Sequence, residues 1–172
     1  MNYFDLFGLP VKLKNDPAQV KRKYLELSRQ RHPDYFVNTD GGAQEHAVEA
    51  FALLNAGLKT LSNIDETIKY VLMEKGLLEE EEKYALEPAF LMEMMEINEQ
   101  LAESRAEDDE EARARVLEAL NETEKKIYEP VEAIIENYTE GVTSEEELLQ
   151  VKDYYFKKKY ISRLRKQFGG ML

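Results

Sequence analysis

Residues 16–34, Asp16-Pro17-Ala18-Gln19-Val20-Lys21-Arg22-Lys23-Tyr24-Leu25-Glu26-Leu27-Ser28-Arg29-Gln30-Arg31-His32-Pro33-Asp34, hold a start signal, an amphipathic helix and a stop signal in one run. Asp16 supplies an N-cap carboxylate, and Pro17 takes the first helical position, where a missing N–H costs nothing. Val20, Tyr24, Leu27 and Arg31 then recur at the spacing of one helix face. The opposite side carries Arg22, Leu25 and Arg29, with Lys21 on its flank. Pro33 forbids continuation and pushes His32 out of the helical region. The expectation is a helix with an apolar inner face and a basic outer face. It delivers one imidazole and one carboxylate into a stiff loop. Taken alone, the tripeptide is equally a helix terminator beside a solvated face.

Working outward, residues 2–8 read as a short apolar helix ended by Gly8 and Pro10, and residues 34–42 as a loop closed by Asp40-Gly41-Gly42. A third helix carries Phe51, Leu54, Leu58 and Leu61 at core spacing. A fourth, over residues 64–75, turns Ile64, Ile68, Val71 and Leu72 inward. A break follows near Gly76, and Glu79-Glu80-Glu81-Glu82 reads as a solvated linker or helix face. Beyond it, Pro88 marks another first turn, and Phe90, Met94, Ile97 and Leu101 form a stripe to about residue 106. Leu117, Leu120, Ile127, Val131, Ile134 and Tyr138 continue the spacing along a segment that Pro130 should kink or break. Thr143-Ser144-Glu145-Glu146 fits a capping box opening a last helix to about Phe168, before Gly169-Gly170. No internal repeat and no β alternation are present. The fold class expected is all-α: a helical hairpin module over residues 1–75, an acidic linker over 76–87, and an antiparallel three-helix bundle over 88–172.

Composition narrows the chemistry. The 172 residues contain no cysteine and two histidines, which excludes thiolate metal sites, disulfides and a cysteine nucleophile. No cofactor or metal is expected. The formal net charge of -12 argues against general nucleic-acid binding. That charge is uneven: residues 1–31 carry seven basic and three acidic groups, 76–150 carry six and twenty-four, and 151–172 carry seven and one. Asp5 interrupts the only apolar start, so no secretory signal is read, and no run is long enough to cross a bilayer. A cytoplasmic location is the default expectation.

With these residues in order, the first module resembles a J-domain. The resemblance rests on Tyr3-Phe4-Asp5-Leu6-Phe7-Gly8-Leu9, the Asp16-Pro17 start, His32-Pro33-Asp34 and Phe51-Ala52-Leu53-Leu54-Asn55-Ala56. That family consists of co-chaperones that stimulate ATP hydrolysis by DnaK-class chaperones. The resemblance implies that His32, Pro33 and Asp34 are required for stimulation and that Lys21, Arg22 and Arg29 supply the basic docking surface. Asp34 can accept charge-assisted hydrogen bonds from a partner arginine, and the basic face can steer association with an acidic one. Tyr35 departs from the pattern, since many J-domains carry a basic residue there. The chain has no Walker-type nucleotide motif, so the chemistry would belong to the partner.

The second module lacks the Gly/Phe-rich segment and cysteine repeats of DnaJ-type proteins. It resembles instead the C-terminal helical domain of the HscB type, the J-domain proteins dedicated to iron–sulfur cluster assembly. The segment carrying this is Ala89-Phe90-Leu91-Met92-Glu93-Met94-Met95-Glu96-Ile97-Asn98-Glu99-Gln100-Leu101. The absence of an N-terminal cysteine zinc module points to the bacterial type. The helical wheel agrees independently. At about 100° per residue, Phe90, Met94, Ile97 and Leu101 share one direction. Leu91, Met92, Met95, Glu96, Glu99 and Glu103 lie on other sides, as adaptable apolar side chains edged by carboxylates. The resemblance implies that these six residues, with Phe156 from the last helix, bind an IscU-like scaffold protein. Tyr154, Tyr155, Phe156 and Tyr160 cluster there, and periodicity alone does not decide which faces out.

The function expected is an adaptor: an HscA-like ATPase engaged by the first module and a cluster scaffold held by the second, with no enzymatic activity of its own. Another client presented through the same acidic–methionine patch is the alternative. An enzyme using His32 as base and Asp34 as its orienter lacks a nucleophile or metal cluster. A di-iron bundle would need Glu-x-x-His motifs that are absent.

Overall fold

The computed structural model describes residues 1–32, 34 and 41–169. Pro33, Tyr35 and most of the loop expected over 34–42 lie outside the described residues. Every regular element among those described is helical: α1 (Tyr3–Phe7), α2 (Pro17–Arg31), α3 (Gly41–Leu61), α4 (Ile64–Glu74), α5 (Pro88–Ala106), α6 (Glu110–Tyr128), α7 (Glu132–Glu136) and α8 (Glu145–Gly169). They form two compact units, one of Met1–Gly76 with Ile135–Thr143, the other of Leu77–Ile134 with Ser144–Leu172.

In the first unit, α2 and α3 form an antiparallel hairpin. The Tyr24 hydroxyl donates to Asn55 Oδ1 at 2.7 Å, and His32 packs edge-on against Phe51 with centroids 5.1 Å apart. Asp16 caps α2 by accepting from the Ala18 N–H at 3.0 Å, with Pro17 in the first turn. Asn63 caps α4 through the Glu66 N–H. The third helix begins at Gly41, so Gly41 and Gly42 form its first turn rather than closing the preceding loop. The interior is Phe4, Phe7, Leu13, Val20, Leu54, Leu61, Ile68 and Leu72, each at most 2% exposed. Burying one such side chain contributes about 1.5–3 kcal/mol. Phe51 and Leu58 are only half-buried, while Ala47 and Gly57 share the buried face.

Gly57 is buried because α1 lies directly on it. A Cβ there would sit 2.6 Å from Phe7 Cε2 and 3.3 Å from Tyr3 Cδ1. The Phe7 ring is 1% exposed, so relieving the clash would mean shifting a ring packed in the core. Gly57→Ala is therefore expected to destabilise this unit by about 1–3 kcal/mol through overpacking, outweighing its helix-propensity gain of about 1 kcal/mol. Urea unfolding of the full chain checks this, and a midpoint at or above that of the parent would refute the close approach.

Segment Ile135–Thr143 joins this unit by long-range contacts. Ile135 and Tyr138 are buried, and Lys14 pairs with Glu136. Glu140 takes hydrogen bonds from Lys75 and from the Tyr138 hydroxyl, which hold its carboxyl below the usual range.

In the second unit, α5, α6 and α8 run antiparallel in succession. Phe90, Met94, Ile97, Leu101, Val116, Leu120, Ile161 and Leu164 make one core, with Leu86, Ile127 and Tyr160 against it. The α6 register centres on Val116 and Leu120, leaving Leu117 half-buried. Pro130 acts as expected: α6 stops at Tyr128, a 3-10 turn spans Glu129–Val131, and α7 restarts at Glu132. The cap of α8 falls one residue later than its sequence suggests. Ser144 Oγ accepts from the Glu147 N–H at 3.1 Å, and Glu147 Oε1 accepts from the Ser144 N–H at 3.0 Å. Thr143 instead accepts the Thr139 N–H at 3.0 Å.

The acidic run before α5 is solvated at Glu79, Glu80 and Glu81 and not beyond. Glu82 pairs with Lys152 at 2.8 Å, both largely covered, and its carboxyl is held below the ordinary range by that lysine. Leu78 is 5% exposed. The stretch is thus strapped along α8 rather than free in solvent.

Candidate functional site

Two surfaces carry the residues singled out by the sequence. On the first unit, α2 exposes Lys21, Arg22 and Arg29 together, with Leu25 between them at 41% exposure. Lys23, toward the inner side, pairs loosely with Glu26. At its end His32 is extended (φ -62°, ψ 132°), the conformation required before a proline. The Asp34 N–H donates to His32 Nδ1 at 3.2 Å, and Asp34 Oδ2 lies 3.4 Å from the same nitrogen. The hydrogen bond comes from the Asp34 backbone, not from its carboxylate. Its polarity differs from that of a catalytic triad. Nδ1 accepts from the backbone here, whereas in a triad Nδ1–H would donate a hydrogen bond to the orienting carboxylate. The Asp34 carboxylate is 83% exposed and points to solvent rather than into a cleft.

On the second unit, α5 divides into two faces. Phe90, Met94, Ile97 and Leu101 are buried, whereas Met92 is 70% and Met95 59% exposed. Glu96, Glu99 and Glu103 are exposed, and Leu91 is half-buried at the edge of the core stripe. Met92, Met95, Glu96 and Glu99 line one shallow depression with Ala89 and Glu93. Glu93 was missed by the wheel, which places it beside the core stripe. There its carboxylate accepts from the Thr123 hydroxyl at 2.8 Å. Glu103 lies further along the helix and does not line the depression.

Phe156 sits apart from that depression, on α8. Tyr84 stacks on its ring (centroids 4.5 Å apart, planes 6° from parallel), Tyr155 meets it edge-on at 5.2 Å, and Lys159 lies over it at 5.9 Å. Among its neighbours, Tyr154 is buried and Tyr160 packs on Phe90. Phe156 is half-buried. Tyr84, which periodicity could not flag because it lies outside any helix, donates to Asp153 at 2.8 Å. Burial and that carboxylate push its phenol up to about 12.

No group of three or more His, Asp or Glu among the described residues could hold a metal ion, and no helix among them is long and apolar enough to cross a membrane.

A helical hairpin with a basic outer helix and a His-Pro-Asp loop start, joined in one chain to a helical bundle with an exposed acidic–methionine face, defines a J-domain co-chaperone. A family model described as the HSCB C-terminal oligomerisation domain matches residues 86–168. A co-chaperone protein HscB homolog of Shewanella woodyi is 30% identical over 167 residues, covering 96% of this chain and 93% of that protein. The structure of the chaperone HscB from Vibrio cholerae superposes with a TM-score of 0.73 at 25% identity, over 97% of this chain and 94% of that one. The crystal structure of the human co-chaperone HscB gives 0.81 at 25% identity, over 98% and 81%. The chain belongs to the HscB co-chaperone family.

Proposed function

We propose that the protein stimulates the ATPase of an HscA- or DnaK-class chaperone through its J-domain and delivers an IscU-like iron–sulfur scaffold held on α5. The observation that carries the delivery half is the exposure of Met92 and Met95. Two large apolar side chains in water, ringed by carboxylates, are costly in isolation and suited to a partner with an apolar centre and a basic rim. The carboxylates set on-rate and register, and the apolar side chains supply most of the affinity. His32, Asp34 and the Lys21/Arg22/Arg29 face serve the other partner; Pro33 stiffens the loop by its chemistry. Because the chain has no cysteine, it would handle the protein that holds the cluster rather than the cluster itself.

Residues 1–75 would act as the J-domain, 76–87 as the acidic connection and 88–172 as the scaffold-binding domain, in the cytoplasm. Steady-state ATP hydrolysis by a DnaK-class chaperone, with this protein, with a purified scaffold, and with both, tests the reading. The largest stimulation is expected with both present. Full stimulation without scaffold and no gain on adding it would instead favour a different client.

A further inference from the structure

We propose that Met92 and Met95 form a peroxide-sensitive modification site whose oxidation to methionine sulfoxide releases the client. The inference rests on the scaffold-binding reading of α5. In a chain without cysteine, thioethers are the readily oxidised sulfurs, and among the described residues the fold sorts them sharply by access. Met92 and Met95 are 70% and 59% exposed, while Met94, between them on the same helix, is fully buried in the bundle core. Met73 is half-buried in the other unit. Met1 is 98% exposed there but forms no part of the α5 face.

The chemistry is balanced with hydrogen peroxide as oxidant. A thioether sulfur lone pair attacks one peroxide oxygen, the S–O bond forms as the O–O bond breaks, and the transferred oxygen's proton passes to the departing hydroxide as water. Sulfur loses two electrons and peroxide gains them. Thiol-dependent methionine sulfoxide reductases reverse the step, giving back the thioether and water as two thiols become a disulfide.

The consequence follows from the neighbours. A sulfoxide oxygen is a hydrogen-bond acceptor, and the polar side chains lining the same depression are Glu93, Glu96 and Glu99. As carboxylates these only accept, so none can satisfy the new oxygen. Covered by an apolar partner surface, each sulfoxide would be a buried unsatisfied acceptor, which corresponds to about a tenfold loss of affinity. The fold itself should be untouched, because both side chains stand outside the core.

The test uses the full chain and hydrogen peroxide. Peptide mass mapping over a peroxide series reads the oxidation of each methionine, and calorimetry with the purified scaffold reads affinity before peroxide, after it, and after reductase treatment. The expected result is oxidation of Met92 and Met95 well ahead of Met94, an affinity drop of tenfold or more, recovery with reductase, and an unchanged thermal melt. A Met92→Leu/Met95→Leu chain, whatever its starting affinity, should show no further drop after peroxide. Oxidation of Met94 at the same rate, or oxidation of Met92 and Met95 without loss of affinity, would overturn the proposal. If the untreated chain does not bind the scaffold, the client reading fails and the release step falls with it. The mass map still decides the modification site separately.

Discussion

Asp34→Asn is expected to remove most of the ATPase stimulation, by tenfold or more, while scaffold affinity and the thermal melt stay within error of the parent. The substitution keeps the side chain's size and removes only its charge. Three observations make it clean. The carboxylate is 83% exposed, so its loss creates no cavity. The hydrogen bond tying the loop to His32 comes from the Asp34 backbone N–H, which asparagine retains. The imidazole is also braced by Phe51, so the loop start keeps its orientation. What disappears is a charge-assisted acceptor for a partner cation, which contributes about 1.5–3 kcal/mol when engaged. If that bond forms only as the partner reaches its hydrolysis-competent state, the loss appears in stimulation rather than in mere association. The measurement pairs a steady-state ATPase titration with calorimetry against the scaffold. Full stimulation by the variant would remove Asp34 from the mechanism. Loss of both activities would mean that the substitution had damaged more than the loop.

What could be read from the chain, and what could not, divides by the range of the interaction. Asp16-Pro17, Pro88 and Pro130 act within one helical turn, through a cap or a missing N–H, and the helices begin or break where these residues say. The α5 faces were equally legible, because one helix sets both the stripe and the patch by angle alone. Small register errors have local causes. Thr143 and Ser144 both suit an N-cap, and only the competing bond from the Thr139 N–H to Thr143 leaves Ser144 to open α8. Val116 took the place expected for Leu117 because the rows of α6 meet both α5 and α8, so its buried face is set by two neighbours. The rest was invisible for a physical reason. Nothing near Glu82 or Tyr84 announces Lys152, Phe156 and Asp153 some seventy residues away. Nor does the sequence around Tyr138 and Glu140 point to Lys75. Such contacts depend on tertiary placement, which periodicity does not encode. Glu93 shows the same limit on a shorter scale. Its angle on the wheel assigns it to the core edge, where its carboxylate accepts from Thr123, yet the residue also lines the depression.

The second large effect concerns the α5 face. Met92→Ala with Met95→Ala is expected to weaken scaffold binding by about 2 kcal/mol or more, some thirtyfold, the scale of a central apolar hot spot. The variant should still fold and still stimulate the ATPase in the absence of scaffold. The pair is chosen on exposure. At 70% and 59% exposed, both side chains can be truncated without opening a cavity in the bundle, and alanine favours the helix. Leu91→Ala, combined with Met95→Ala, would also weaken binding. However, Leu91 is half-buried, so part of that effect would come from the fold. Charge provides the internal comparison. Glu96→Gln with Glu99→Gln should lower the association rate and its salt dependence more than the dissociation rate, because rim charges steer encounter. The methionine pair should act mainly on dissociation, since lost apolar contact is felt after docking. Stopped-flow binding at two ionic strengths separates the two. If the alanine pair left the dissociation rate unchanged, the methionines would be bystanders on an electrostatic surface. The apolar centre of the site would then have to lie elsewhere, with Phe156 and its partner Tyr84 the first place to look.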